Sequence, residues 1–323
     1  MAFDLDTVRA AFPALAETDD GKPRIYFDNP AGTQVPKSVA DRVAECLLTA
    51  NANLGGGFRT STLADVVVKE AHEAMADFLN APSADEIIYG QNMTSITFHL
   101  ARSIGPALKA GDEIVLSRMD HDANVWPWVL MARDHGLTVR WMEFDKQTFE
   151  FDLSVLDELL NERTKLVCVG GASNLLGTLN DVTEITRRAH EVGAWTYIDA
   201  VQSAPHVSTD VQKIGCDFLV CSAYKFFGPH QGILWGRREI LESLEPYKLR
   251  PSYDSLPWCF EPGTQSHEGM AGTTAAIDYF AMIGETMAGD QQANYPQFEG
   301  RRKFVHAAMD CMFAYEKTLA DAL

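Results

Sequence analysis

Between residues 86 and 236, short apolar runs alternate with amphipathic stretches, and this constrains the fold more than any other feature of the chain. The runs are EIIYG (86–90), EIVLS (113–117), TVRWMEF (138–144), LVCVGG (166–171), TYIDA (196–200), FLVCSA (218–223) and GILWG (232–236). Their shortness and apolar continuity read as strands buried on both faces. Between them, TSITFHLARSI after Met93, NVWPWVLMARDHG after Ala123 and VTEITRRAHEVG after Asp181 have helical spacing, with Gly136 and Gly193 as stops. Strands alternating with helices predict an α/β fold, a mostly parallel seven-stranded sheet covered by helices. After the Pro-rich loop KLRPSYDSLPW (248–258) the pattern turns helical, with no further strand.

With 323 residues, 46% of them hydrophobic, the chain can build one large domain plus a smaller one. Lysine and arginine total 27 against 45 acidic residues, and the net charge of −18 disfavours nucleic acid or an anionic membrane as partner. Residues 1–16 lack the basic start and apolar run of a signal peptide, and no uncharged apolar segment approaches the roughly 20 residues of a membrane span. A soluble, cytoplasmic protein is expected. The six cysteines are scattered, without CxxC or a His/Cys cluster, so neither a disulfide framework nor a metal site is expected. Cys168 and Cys221 sit in strand runs and read as core residues.

In parallel α/β proteins, ligands gather beyond the carboxyl ends of the strands. YIDAVQS places Asp199 there, with Gln202 three residues on. A buried carboxylate stays ionised only beside a cation, and a protonated pyridine nitrogen is one. About one strand further, FLVCSAYKFFGPHQG sets Ser222, Tyr224 and Lys225 before a glycine-containing turn. A lysine held there out of bulk water is a candidate to carry pyridoxal 5'-phosphate (PLP) as a Schiff base, although a lysine after a strand is also commonly just exposed. IIYGQNMTSITFHLA is strand, turn and helix. The helix N-terminus at Thr94 and Ser95 suits a phosphate, and the same residues serve equally as ordinary N-caps. His121, after the run ending at Ser117, is placed to lie over a flat ring; a lone histidine is as readily structural.

As a set, FDNPAGTQVP (27–36), MDHDAN (119–124), SNLLGT (173–178), IDAVQ (198–202), SAYKFFGP (222–229) and FEPGTQ (260–265) resemble the class V aminotransferases, in particular the cysteine desulfurase and selenocysteine lyase group. The order and spacing match from about residue 25 onward. The resemblance implies PLP fold type I and a homodimer, with PLP near the subunit interface and a small-molecule amino acid as substrate. It divides the chain into an N-terminal arm (1–25), a PLP-binding large domain (26–265) and the helical start (266–323) of a small C-terminal domain whose remainder is absent. By the same resemblance, Lys225 is the Schiff-base lysine, Asp199 the pyridinium partner, and Gln202 a donor to the ring oxygen. His121 stacks on the ring, and Asn174 lies near the ring oxygen and the substrate carboxylate. Thr94, Ser95 and Ser222 bind phosphate, and Thr264 reaches the phosphate of the partner subunit.

Three places depart from the family pattern. Tyr224 stands where a histidine is usual, and can still donate to phosphate. NLGGGFRTS (53–61) replaces a segment that commonly carries a histidine and an arginine, with Arg59 as a substitute carboxylate clamp. No segment matches the loop bearing the nucleophilic cysteine; Cys259, in the loop before FEPGTQ, is the one candidate cysteine near the site, and an unactivated cysteine is usually inert. The expected function is desulfurase-like carbon–sulfur or carbon–selenium lyase chemistry. The alternatives are transamination, β-elimination or epimerisation with the same cofactor, and a non-catalytic PLP-binding dimeric scaffold. A nucleotide-binding α/β protein is disfavoured, because no GxGxxG follows a strand and no GxxxxGK[ST] occurs.

Overall fold

The computed structural model describes residues 3–323. The seven strands form one sheet: β1 (Ile87–Gly90), β2 (Glu113–Ser117), β3 (Thr138–Met142), β4 (Thr164–Gly170), β5 (Trp195–Asp199), β6 (Phe218–Ser222) and β7 (Gly232–Gly236). Their order is β1-β7-β6-β5-β4-β2-β3. Only β7 runs antiparallel to its neighbours, β1 and β6; the other pairings are parallel. β3 ends two residues before the expected 144. It pairs only with β2, and the last partners are Ser117 and Met142, so nothing remains for residues 143 and 144 to bond.

Alternate residues of each strand enter opposite cores, as the pleat requires. Val115, Val167, Val169, Ile198, Leu219 and Ile233 pack on one face, with Met75, Leu79 and Phe280. Ile114, Leu116, Leu166, Tyr197, Phe218 and Leu234 pack on the other, with Ile96, Leu100 and Trp128. Two covered faces explain why these runs are continuously apolar.

The helices begin and end where the chain supplies caps. Asn92 Oδ1 accepts from the Ser95 amide at 2.9 Å to start Met93–Ile104. Asp181 does the same for Val182–Glu191 through Glu184 N, 3.0 Å. Gly136, at φ +68°, closes Trp126–His135 in the left-handed conformation.

Helix His267–Met287 packs on Lys37–Thr49, Arg59–Leu79 and Gly300–Ala320. Its crossing with the last helix is backbone to backbone, since a Cβ on Gly284 would stand 1.7 Å from the Phe304 carbonyl oxygen. Near the N-terminus, Phe12 is buried edge-on to Phe227 and Tyr279, which fastens the first residues to this layer. No described helix is long and apolar enough to cross a membrane.

Candidate active site

Adjacent parallel strands β5 and β6 leave the sheet at the same edge. Asp199 is the last residue of β5, and Lys225 lies three residues past β6, in the turn Ala223–Lys225. A sharp reversal holds that lysine in place. Phe226 N and Gly228 N both donate to Ala223 O, at 3.0 and 2.8 Å. Phe227 takes φ +67°, and a Cβ on Gly228 would lie 2.8 Å from that of Ala223. The paired aromatics anchor the turn, Phe226 stacking on Phe78 at 4.8 Å and Phe227 on Phe280 at 5.2 Å.

A cavity of about 320 Å³ opens at this edge, lined by Thr94, His121, Asn174, Asp199, Gln202, Ser222, Tyr224 and Lys225. Residues spread over more than a hundred positions thus share one wall. Ser95 and Thr264 do not line it. The Ser95 amide is taken by Asn92, and its side chain borders a separate cavity of about 580 Å³, with Gln91, His99, Arg102 and Gln265. Although larger, that cavity holds no cluster of acid, base and lysine comparable to the smaller one. Thr264 lies beside Cys46, Asn53 and His267.

Burial dominates the electrostatics. It pushes the Asp199 carboxyl up to about 7, against the Val201 amide, which donates to Oδ1 at 2.9 Å; the Asp120 charge adds to the rise and Lys225 opposes it. Lys225 is itself 7% exposed and donates from Nζ to the Pro30 carbonyl, with the Tyr224 ring centroid 4.7 Å away. Gln202 Nε2 donates to the same carbonyl at 3.0 Å. Tyr224 is stacked on His230 at 4.8 Å. The Pro30 segment is buttoned to the lysine turn by Thr33, whose amide and hydroxyl donate to Tyr224 O and whose Oγ1 accepts from Phe227 N.

His121 Nδ1 accepts from the Ala123 amide at 3.1 Å, so the neutral ring carries its proton on Nε2. Asn174 is presented by a turn in which Ser173 N donates to Thr178 O at 2.9 Å and Gly177 takes φ +75°.

Two sequence candidates fall outside the site. Arg59 is exposed at the head of its helix and does not border the cavity. Cys259 is buried in the apolar core, its thiol pushed up by burial, and does not line the cavity either. All six cysteines are free and buried. The structure adds Pro30 and Asp120, neither of which the sequence singled out. Asp120 stood in plain view beside His121, but nothing in the spacing separated it from Asp122.

A mostly parallel sheet in this strand order, with a buried lysine and aspartate at adjacent strand ends, defines an aminotransferase-type α/β enzyme fold. The chain belongs to the class V aminotransferase family, which it matches over residues 25–298. It is 36% identical over 297 residues to a cysteine desulfurase of Dickeya dadantii, covering 87% of this chain and 72% of that protein. Against a probable cysteine desulfurase of Synechocystis it is 38% identical over 292 residues, with 86% and 69% covered. Among solved structures, the cysteine desulfurase of Thermococcus onnurineus superposes with a TM-score of 0.81 at 31% identity, covering 92% of this chain and 76% of that one. The cysteine desulfurase CsdA of Escherichia coli gives 0.76 at 27% identity, covering 94% and 80%.

Proposed function

We propose that this chain is a PLP-dependent enzyme of the cysteine desulfurase type, acting on a sulfur- or selenium-bearing amino acid as a homodimer. The observation that carries this reading is the pairing of Asp199 and Lys225 at neighbouring strand ends in one cavity. A carboxylate whose proton is held up to about 7 by burial fits a cationic ring nitrogen as its missing partner.

Bound there, PLP supplies the electron sink that labilises bonds at the substrate α-carbon. The chain's own residues do the rest. Asp199 keeps a proton at the pyridine nitrogen, and Lys225 Nζ is the attachment amine. His121 covers one face of the ring and excludes water from it. Gln202 donates from Nε2 toward the ring oxygen, and Asn174 orients the substrate carboxylate. Thr94, Ser222 and Tyr224, which border the cavity, serve the phosphate around the helix N-terminus, while Ser95, turned to the separate cavity with its amide taken by Asn92, does not. Thr264, outside its own chain's cavity, serves the partner's phosphate.

Borohydride treatment of the PLP-loaded protein followed by peptide mapping tests the reading. The cofactor should be recovered on Lys225, and a screen of L-cysteine and L-selenocysteine, with dithiothreitol present as the reductant, should yield sulfide or selenide. Recovery on another lysine, or no retention of PLP, refutes it.

A further inference from the structure

Among the described residues, the Asp120 carboxylate is the one acidic group of the cavity with no part in the chemistry above. It is fully engaged. Oδ1 accepts from Gly170 N, at the end of β4, at 3.0 Å, and Oδ2 accepts from Asn124 Nδ2 at 2.7 Å. Asn124 Oδ1 in turn accepts from Trp128 Nε1 at 3.1 Å, and both Asn124 and Trp128 are fully buried. Gly170 has no side chain at the point where a Cβ would meet Asp120 Oδ1 at 3.2 Å. A chain of hydrogen bonds therefore runs from the sheet edge through Asp120 into the helix that follows His121.

We propose that Asp120 is a positioning residue: its carboxylate clamps the His121 turn to the end of β4 and so sets where the imidazole lies over the cavity. The inference rests on reading the cavity as a cofactor site with His121 over the ring. The turn is held on both sides of the histidine, by the Asp120 clamp before it and by the Ala123 amide on Nδ1 after it. Asp122, the other acidic neighbour of His121, is exposed and outside the cavity. The carboxylate form is required by donor and acceptor count. An asparagine at 120 would set its own Nδ2 against either Gly170 N–H or Asn124 Nδ2. Turning Asn124 over to accept would set its Nδ2 against Trp128 Nε1–H. Every orientation breaks one link, and a broken buried link leaves a donor unsatisfied.

The same count supplies a rescue. In the exchanged pair, Asp120→Asn with Asn124→Asp, the amide at position 120 accepts from Gly170 and donates to the carboxylate at position 124, which also accepts from Trp128. The test uses two readouts. The first is the His121 ring resonance in ¹H–¹³C NMR of protein prepared without PLP, and the second is visible-region circular dichroism per bound PLP, which reports ring placement. Asp120→Asn should shift or broaden the His121 signal and remove about half or more of the visible dichroism, with the far-ultraviolet spectrum unchanged. The exchanged pair should restore both. Parent-like signals in Asp120→Asn, or an exchanged pair no better than the single variant, overturn the clamp. If Asp120→Asn does not fold, the exchanged pair decides alone: parent-like signals support the clamp and altered ones overturn it. The NMR arm needs no cofactor, so a failure of PLP binding counts against the proposed function and not against the clamp.

Discussion

Gly232 lies against the backbone of Asn92: a Cβ at 232 would stand 2.4 Å from the Asn92 carbonyl carbon and 2.7 Å from Met93 N. Gly232 is also the register partner of both Ser222 and Gly90. The absence of one side chain thus seats the helix N-terminus at the lysine edge of the sheet. Gly232→Ala should displace that N-terminus, weaken PLP binding about tenfold or more and cost roughly 1–3 kcal/mol from overpacking. Fluorescence titration with PLP and denaturant unfolding measure the two effects; parent-like PLP affinity would show that the approach is not needed.

Asp199→Asn should keep the fold and bind PLP, yet lose turnover by about 10²-fold or more, since a neutral amide cannot hold the ring nitrogen's proton. Steady-state rates at saturating substrate check this. Undiminished turnover would remove Asp199 from its role.

Stability should also depend on pH in a defined direction. Burial raises Asp199 to about 7 and Asp120 to about 6, so between the ordinary carboxylate range and neutrality the folded chain binds more protons than the unfolded one. Their stabilising effect is full below about pH 4 and is lost as pH rises through those values. In protein prepared without PLP, Asp199→Asn should therefore have the higher Tm at pH 8, with the advantage over the parent shrinking toward about pH 5. An advantage that grows on acidification contradicts the assignment.

No cysteine lines the cavity, and burial raises the Cys259 thiol away from the reactive thiolate. Cys259→Ser should leave sulfide release within about twofold of the parent, because unactivated buried thiols are inert. Release of sulfide from L-cysteine by this chain should be slow compared with α-deuterium exchange followed by NMR. Fast release abolished by Cys259→Ser would overturn this.

The strands were legible because both faces of the sheet are covered, which leaves uninterrupted apolar runs, and Asp199 and Lys225 were legible because they lie at the ends of two neighbouring ones, Asp199 within its strand and Lys225 three residues past the other. Gln202 and Ser222 belong to those same two strand ends, His121 follows a third, and Asn174 came with the family motif; all border the cavity. Pro30 was not legible: its contribution is a backbone carbonyl, 195 residues from the lysine that donates to it. Ser95 resembled Thr94 in sequence, but only Thr94 borders the cavity, while the Asn92 cap takes the Ser95 amide. Spacing cannot distinguish Asp120 from Asp122, since which of the two turns inward depends on where β4 ends.

The strand order has a consequence for synthesis. β1 is made first, yet its sole neighbour in the sheet, β7, is made last, so residues 87–90 have no strand to pair with until residues 232–236 have emerged. Over that interval a growing chain exposes an apolar edge of the kind that recruits other chains. The cavity is completed by the same late event, because β7 carries Gly232, which pairs with Ser222 and lies against the backbone of Asn92 at the helix N-terminus. Ribosome-bound chains released before about residue 236 would therefore be unable to take up cofactor and prone to aggregate, and the two properties should change together over the next few residues of elongation.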